Sequence, residues 1–457
     1  MKANLAIVLL TISATLAQAA PNRSEKKGWI QVQLSGTPRE MGRQHGQILA
    51  TEIADGLKAI QTIILHDTKK DWAFYRKAGQ EILWPKVEAQ YREELEGIAE
   101  GLKLKGSKLD LWDVVALNGW MELAWYYVPV FNQKNGIKNP PTATAPEHCS
   151  AFIATGSYTK NGKIVIAHNA WVDYAIGERW NIVFDIRPTN GQRMIMDGYP
   201  GLIHSGDDFG INSAGIVISE TTISAFVGFD ETGIPEFVRA RKALQYGKTI
   251  DEVAEIFQKG NNGGYANTWL IGDNNTNEIA RLELGLKNVT LDRTRDGYYA
   301  GSNFPINPKL ISEEAKEFDP KDMSHSANAR RLRWEELLEA NKGKIDIKLA
   351  QSFLGDDRDS FEKKTQANER TLCGRIDLSP RGSTGWQPPF GIAGAVQNKA
   401  ADASMIDRMA LSAAYGPQCG PDFRAADFLK LHPEFNYQKD VLRDMPRQPW
   451  VEFRAIQ

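Results

Sequence analysis

Nucleophiles are scarce in this sequence, which holds 3 cysteines and 7 histidines among 457 residues. Cys149 draws attention by its position, at the end of a turn-rich, proline-rich stretch and the start of a short apolar run. If the His148–Cys149 peptide bond were cut, the new chain would begin at Cys149, with its free α-amine beside its own thiol. An α-amine has a pKa near ~7.7–8.0 and can serve as general base at neutral pH, while a thiol at about 8.5 is already strongly nucleophilic. One residue would then supply attacking atom and proton acceptor. By position alone a silent, buried cysteine is the favoured account of Cys149. A second chemistry is an uncut chain in which Cys149 pairs with His168 or His204, and a third reading is a non-catalytic binding protein.

The rest of the composition narrows the setting. Lys+Arg 55 against Asp+Glu 57 leaves a formal charge of −2, which offers no general attraction to nucleic acid or anionic membrane. Residues 1–19 read as a signal peptide: Met1-Lys2, an apolar run from Leu5 to Leu16, then Ala17-Gln18-Ala19 ahead of a cut. That run is shorter than the roughly 20 residues a membrane span needs, and no later segment qualifies, so an exported chain with no integral membrane segment is expected. In an oxidising compartment Cys373 and Cys419 could pair, leaving Cys149 as the odd thiol. No CxxC spacing occurs, and neither a metal nor a cofactor motif is read.

Periodicity divides the mature chain. Three and four spacing predicts helix from Arg39 to Leu65, from Trp72 to Leu104 with a break near Trp84-Pro85, and from Leu111 to Tyr127. The stretch from Asn132 to Pro146 reads as loop. Beyond Cys149 short strands are expected at Ser150–Ala154, Ile164–Ala167, Ile182–Ile186, Arg193–Met196, Gly215–Ser219, Thr268–Ile271, Glu278–Leu284, Val289–Asp292 and Tyr298–Ala300. Helices are expected at Pro235–Tyr246, Ile250–Phe257, Ala327–Asn341 and Ile347–Phe353, and tail strands at Ile392–Val396 and Ser404–Met409. A helical third followed by strands and helices in blocks is an α+β pattern.

The surroundings of Cys149 resemble a known family. His148-Cys149-Ser150-Ala151-Phe152-Ile153 and Ile166-Ala167-His168-Asn169-Ala170-Trp171 are similar to the nucleophile region of the phospholipase B-like proteins. The likeness continues, in order, through Ser205-Gly206-Asp207-Asp208-Phe209, Ser219-Glu220-Thr221-Thr222, Ala266-Asn267-Thr268-Trp269 and Ser302-Asn303-Phe304-Pro305. The opening Gly36-Thr37-Pro38-Arg39-Glu40-Met41-Gly42 looks more like the isopenicillin-N acyltransferase branch of the same N-terminal-nucleophile superfamily.

The resemblance implies a four-layer αββα sandwich with a mainly helical N-terminal segment, self-cleaved before Cys149 into associated fragments 20–148 and 149–457. It implies an acyl hydrolase or acyltransferase acting on a small acyl-amide or lipid substrate. Cys149 maps onto the nucleophile, His168 and Trp171 onto a His-x-x-Trp pair, and Asn267 onto the oxyanion-stabilising asparagine. Asn303 is read as either a turn residue or a second polar contact. Asp207 and Asp208 are read as a turn or a structural hydrogen bond, and Arg330, Arg331 and Arg333 as one exposed helix face.

Overall fold

The computed structural model describes residues 22–140, 149–206, 209–379 and 392–456. The expected signal peptide, the proline-rich stretch with His148, and Asp207 and Asp208 lie outside these residues. Two sheets organise the molecule. The larger has nine strands, in the order Arg23–Lys26, Trp29–Gly36, Ile182–Pro188, Met194–Gly198, Gly210–Asn212, Ile216–Thr222, Asn267–Asp273, Glu278–Leu284 and Val289–Thr294. Its neighbours are antiparallel except that Trp29–Gly36 runs parallel to Ile182–Pro188. The second has six antiparallel strands, in the order Gly297–Gly301, Ser150–Thr155, Val165–Asp173, Ala393–Asp402, Ala410–Tyr415 and Val451–Arg454.

The two sheets pack face to face. A Cβ on Gly272 of the larger sheet would lie 3.0 Å from Ile153 Cδ1 of the smaller. A fully buried ion pair also ties them, with Lys399 Nζ 2.8 Å from Asp197. Helices cover both outer faces. Phe257 of Ile250–Gln258 stacks on Trp269 of the nine-stranded sheet, with ring centroids 3.8 Å apart. Trp334 of Ser326–Ala340 and Phe353 of Ile347–Leu354 flank Phe152 of the six-stranded sheet at 5.2 and 5.8 Å. This is the four-layer αββα arrangement.

The helical N-terminal segment also follows its sequence. Thr37 caps the helix Pro38–Ile48 in a capping box with Glu40, and Pro38 occupies the first turn, where its missing N–H costs nothing. This helix crosses Ala89–Leu104 at backbone contact. A Cβ on Gly42 would sit 2.0 Å from the Glu94 carbonyl oxygen, and one on Gly97 2.4 Å from that of Arg39. The acyltransferase-like opening is thus a helix-packing motif. The later break at Trp84-Pro85 is a 3-10 turn after a π turn at Gly79–Leu83.

The structure corrects the sequence reading at five points. Trp29–Gly36 was unmarked, although Val32 and Leu34 are buried between half-exposed Gln31 and Gln33 in a period of two. Ser404–Met409 is not a strand: Asp402 accepts from Met405 N (2.9 Å) and caps the short helix Ala403–Asp407, so the strand begins only at Ala410. The strand expected to end at Ala167 runs on to Asp173, and the one expected to end at Ser219 runs on to Thr222. Arg330 does not lie on an exposed face but is fully buried.

Cys373 and Cys419 form a disulfide across 46 residues of chain. By loop-closure entropy such a link stabilises by about 4 kcal/mol, so Cys373→Ala with Cys419→Ala is expected to lower the denaturant midpoint markedly. Gly42→Ala should also lower the melting temperature, although alanine gains about 1 kcal/mol of helix propensity over glycine. A melting temperature raised by that substitution would show that the crossing is looser than 2.0 Å implies.

Candidate active site

Cys149 stands immediately before the strand Ser150–Thr155, with the antiparallel strand Val165–Asp173 beside it. Its backbone is unusual. The φ of Cys149 is 131°, a conformation that residues with a Cβ rarely adopt. Such a residue costs about 1–3 kcal/mol and persists only where surrounding structure over-determines it. Arg330 provides part of that constraint. Its guanidinium donates to the Cys149 carbonyl, to Ser150 Oγ (3.2 Å) and to Asn303 Oδ1 (2.9 Å). It also lies 4.2 Å from the centroid of the Trp171 ring, a cation–π contact. Ser150 N is fixed from the other side by Asn169 Oδ1 at 3.1 Å, and the same oxygen accepts from Trp171 Nε1 at 2.9 Å.

The thiol itself is 1% exposed. Cys149 Sγ lies 3.8 Å from Glu220 Oε1, and Tyr265 donates its hydroxyl to that oxygen at 3.0 Å. Sγ, a carboxylate oxygen of Glu220 and a ring nitrogen of His168 all fall within 4.8 Å of one another. His168 is fully buried in mid-strand, opposite Ala151 and Lys399. Burial, and secondarily the Lys399 charge, push its pKa well below the usual value, so the imidazole is neutral; the main chain of Glu220 opposes this weakly. Neither ring nitrogen completes a hydrogen bond among the described residues.

Asn267 opens the strand Asn267–Asp273, opposite Thr222, two residues beyond Glu220. It is fully buried, and neither end of its amide has a hydrogen-bond partner among the described residues. Asn303 has a φ of 72° and serves as both turn residue and polar contact: its Nδ2 donates to the Thr222 carbonyl (2.8 Å) while Oδ1 receives Arg330. Trp171 is buried and acts as the platform under Arg330. His204 takes no part in this cluster; its Nδ1 lies 3.8 Å from Glu236. The helical segment reaches the same region through the π turn Leu123–Tyr127, a distortion frequent at functional sites. Tyr126 on that turn is buried beside the Ala266 main chain and the Glu220 charge, and burial raises its pKa well above the ordinary value.

The structure therefore brings together Cys149, His168, Trp171 and Asn303, and adds Glu220, Tyr265 and Arg330, which the sequence reading did not place at the site. Glu220 and Tyr265 carried no signal beyond a shared motif or its neighbourhood. Arg330 was hidden within an arginine-rich helix whose average polarity reads as surface.

The family model described as Phospholipase B matches residues 65–449, more than half of the chain. The chain belongs to the phospholipase B family. It is 25% identical to Phospholipase B-like 1 of Homo sapiens over 71% of this chain and 62% of that protein. Phospholipase B of Crotalus adamanteus is 28% identical over 59% of this chain and 52% of that protein. The chain thus covers about half to two thirds of the length of these relatives. Among solved structures, a mutant of the conjugated bile acid hydrolase from Clostridium perfringens aligns at 12% identity and a TM-score of 0.35, covering 58% of this chain and 88% of that one. The family is one of hydrolases, and no described helix is long and apolar enough to cross a membrane.

Because His168 is held neutral by burial, its imidazole resonances should not titrate between pH 5 and 8 in NMR spectra. The sign follows from a folded pKa below the unfolded one: the stability contribution is present above about pH 6.5 and is lost as pH falls below it. A His168 titration centred near pH 6.5 in folded protein would contradict this burial.

Proposed function

We propose that the chain is an exported, self-processing acyl hydrolase in which cleavage of His148–Cys149 creates an N-terminal cysteine nucleophile. The observation that carries the reading is the φ of 131° at Cys149, a strained backbone immediately after the bond to be broken. Cys149 is 1% exposed in the intact chain, so access of substrate to its thiol requires a change from this arrangement. Maturation begins with attack of Sγ on the His148 carbonyl carbon. The C–N bond breaks, the thiol proton passes to the departing nitrogen, and that nitrogen becomes the α-amine of Cys149. Water then hydrolyses the thioester, leaving the His148 carboxylate and a regenerated thiol.

In turnover the α-amine takes the thiol proton as Sγ attacks an acyl carbonyl, and returns it to the leaving group. Water or an acceptor amine then releases the acyl group from sulfur. The Asn267 amide, without a hydrogen-bond partner among the described residues, is suited to hold the oxyanion; one such donor contributes about 3 kcal/mol in other enzymes. Arg330 fixes the nucleophile's carbonyl and, through Asn303, the strand end at Thr222. The family and its relatives' names support acyl-ester cleavage of phospholipids, and N-acyl amides are the second substrate class. The disulfide supports an oxidising destination, in keeping with the signal peptide read at residues 1–19.

The rival reading, an uncut cysteine–histidine hydrolase, draws on the proximity of His168 to Cys149. The strong disfavour for its imidazolium makes His168 a poor proton acceptor and favours the α-amine. Mass spectrometry of purified protein should find fragments 20–148 and 149–457, with Cys149→Ala remaining one chain. A single polypeptide that hydrolyses N-acyl amides or phospholipids would overturn the proposal. Asn267→Ala should lower kcat by about 100- to 1000-fold with a smaller change in KM. Arg330→Met should slow both maturation and turnover.

A further inference from the structure

The groups around the thiol form a second kind of constellation. His168 and Glu220 lie on strands of the two sheets and Cys149 immediately before a third strand, and one potential ligand atom of each lies within 4.8 Å of the other two. All three are buried. Around a tetrahedral zinc ion, metal–sulfur bonds of about 2.3 Å and metal–nitrogen or metal–oxygen bonds of about 2.1 Å place S···O near ~3.6 Å and N···O near ~3.4 Å. The Cys149 Sγ to Glu220 Oε1 separation is already 3.8 Å. Closing the triangle takes shortenings of at most about 1.4 Å in any of the three separations.

The chemistry of the trio agrees with its geometry. A divalent cation with one thiolate, one carboxylate and one neutral imidazole carries no net charge, the condition under which a buried ionic group is tolerated. The nitrogens of His168 complete no hydrogen bond among the described residues, so an occupant that accepts a lone pair would relieve a buried polar group. The outer contacts are those a metal site uses to orient its ligands: the Tyr265 hydroxyl on Glu220 Oε1 (3.0 Å), and the Glu220 main chain close to the His168 ring. Thiolate and imidazole select zinc-like ions over magnesium or calcium.

We propose that Cys149, His168 and Glu220 bind a borderline-soft divalent cation, zinc in chemical class, and that the bound ion silences Cys149 as a nucleophile. Binding replaces the thiol proton with a metal–sulfur bond and releases that proton to solvent. Water completes the coordination in the intact chain. If the chain is cut before Cys149, the new α-amine replaces that water and closes a five-membered N,S chelate; this last step alone rests on the proposed function.

The test uses tag-free, metal-depleted protein. Zinc uptake is followed by competition with a chromophoric chelator over hours, since local opening limits entry to a buried site. The expected result is one ion per chain with release of about one proton, and cadmium in its place should produce a thiolate-to-metal ultraviolet band. Cys149→Ala and His168→Ala should each weaken binding by about 100-fold or more, and Glu220→Gln by about tenfold. Absence of stoichiometric uptake, or uptake that persists in Cys149→Ala, overturns the site. Should His168→Ala fail to fold by circular dichroism, the cadmium band in the unsubstituted protein decides. None of these readouts needs turnover. A zinc-binding chain that is active while uncut sinks the proposed function alone, and a cleaved, active enzyme that takes up no zinc sinks the metal site alone.

Discussion

The hold of Arg330 on the Cys149 carbonyl fixes the geometry of every other group around the thiol. A guanidinium at this depth must be surrounded by acceptors, because a buried cation left without them is unfolded by its own desolvation. Here one side chain donates to the Cys149 carbonyl, Ser150 Oγ and Asn303 Oδ1 and lies over the Trp171 ring. The planar fork suits that divergent set of acceptors, which an ammonium would not match. Because Asn303 also holds the Thr222 carbonyl, the same network spans from the first strand of the smaller sheet to the end of a central strand of the larger. Strain at Cys149 can persist because this network resists its relief.

The interior between the sheets holds buried charged groups as well as apolar side chains. Lys399 and Asp197 meet as a buried pair, and His168 lies opposite Lys399 in the strand register. Burial first, and the Lys399 charge second, keep His168 neutral. An apolar replacement of such pairs is often neutral or stabilising elsewhere. The Lys399–Asp197 pair is therefore weak evidence of stabilisation.

The N-terminal segment is structurally inseparable from the two sheets. Trp29–Gly36 contributes a strand to the larger sheet, His45 Nε2 accepts from Gly201 N at 2.9 Å, and Tyr199 donates to the Gly56 carbonyl at 2.8 Å. The glycine crossing of Pro38–Ile48 with Ala89–Leu104 locks the first helix in place, and the π turn at Leu123–Tyr127 turns Tyr126 toward the site. Fragments divided before Cys149 would share one hydrophobic core, so a backbone cut there need not release either piece.

Local pattern was enough to mark most strands and helices, the break at Trp84-Pro85, and Cys149 at a strand start, since period, turn residues and caps are written over a few neighbouring positions. The same holds for Trp29–Gly36, whose alternation was present though its parallel partner, Ile182–Pro188, could not be read from it. What folding alone decided was the company of each side chain. Arg330 has charged neighbours in sequence and reads as surface, yet the helix turns it into the protein while Arg333 stays near the rim with Asp356. Glu220 meets Cys149 across 71 residues and Arg330 meets it across 181. Contacts at such separations depend on how two sheets and their helices stack, and no window of sequence contains that information.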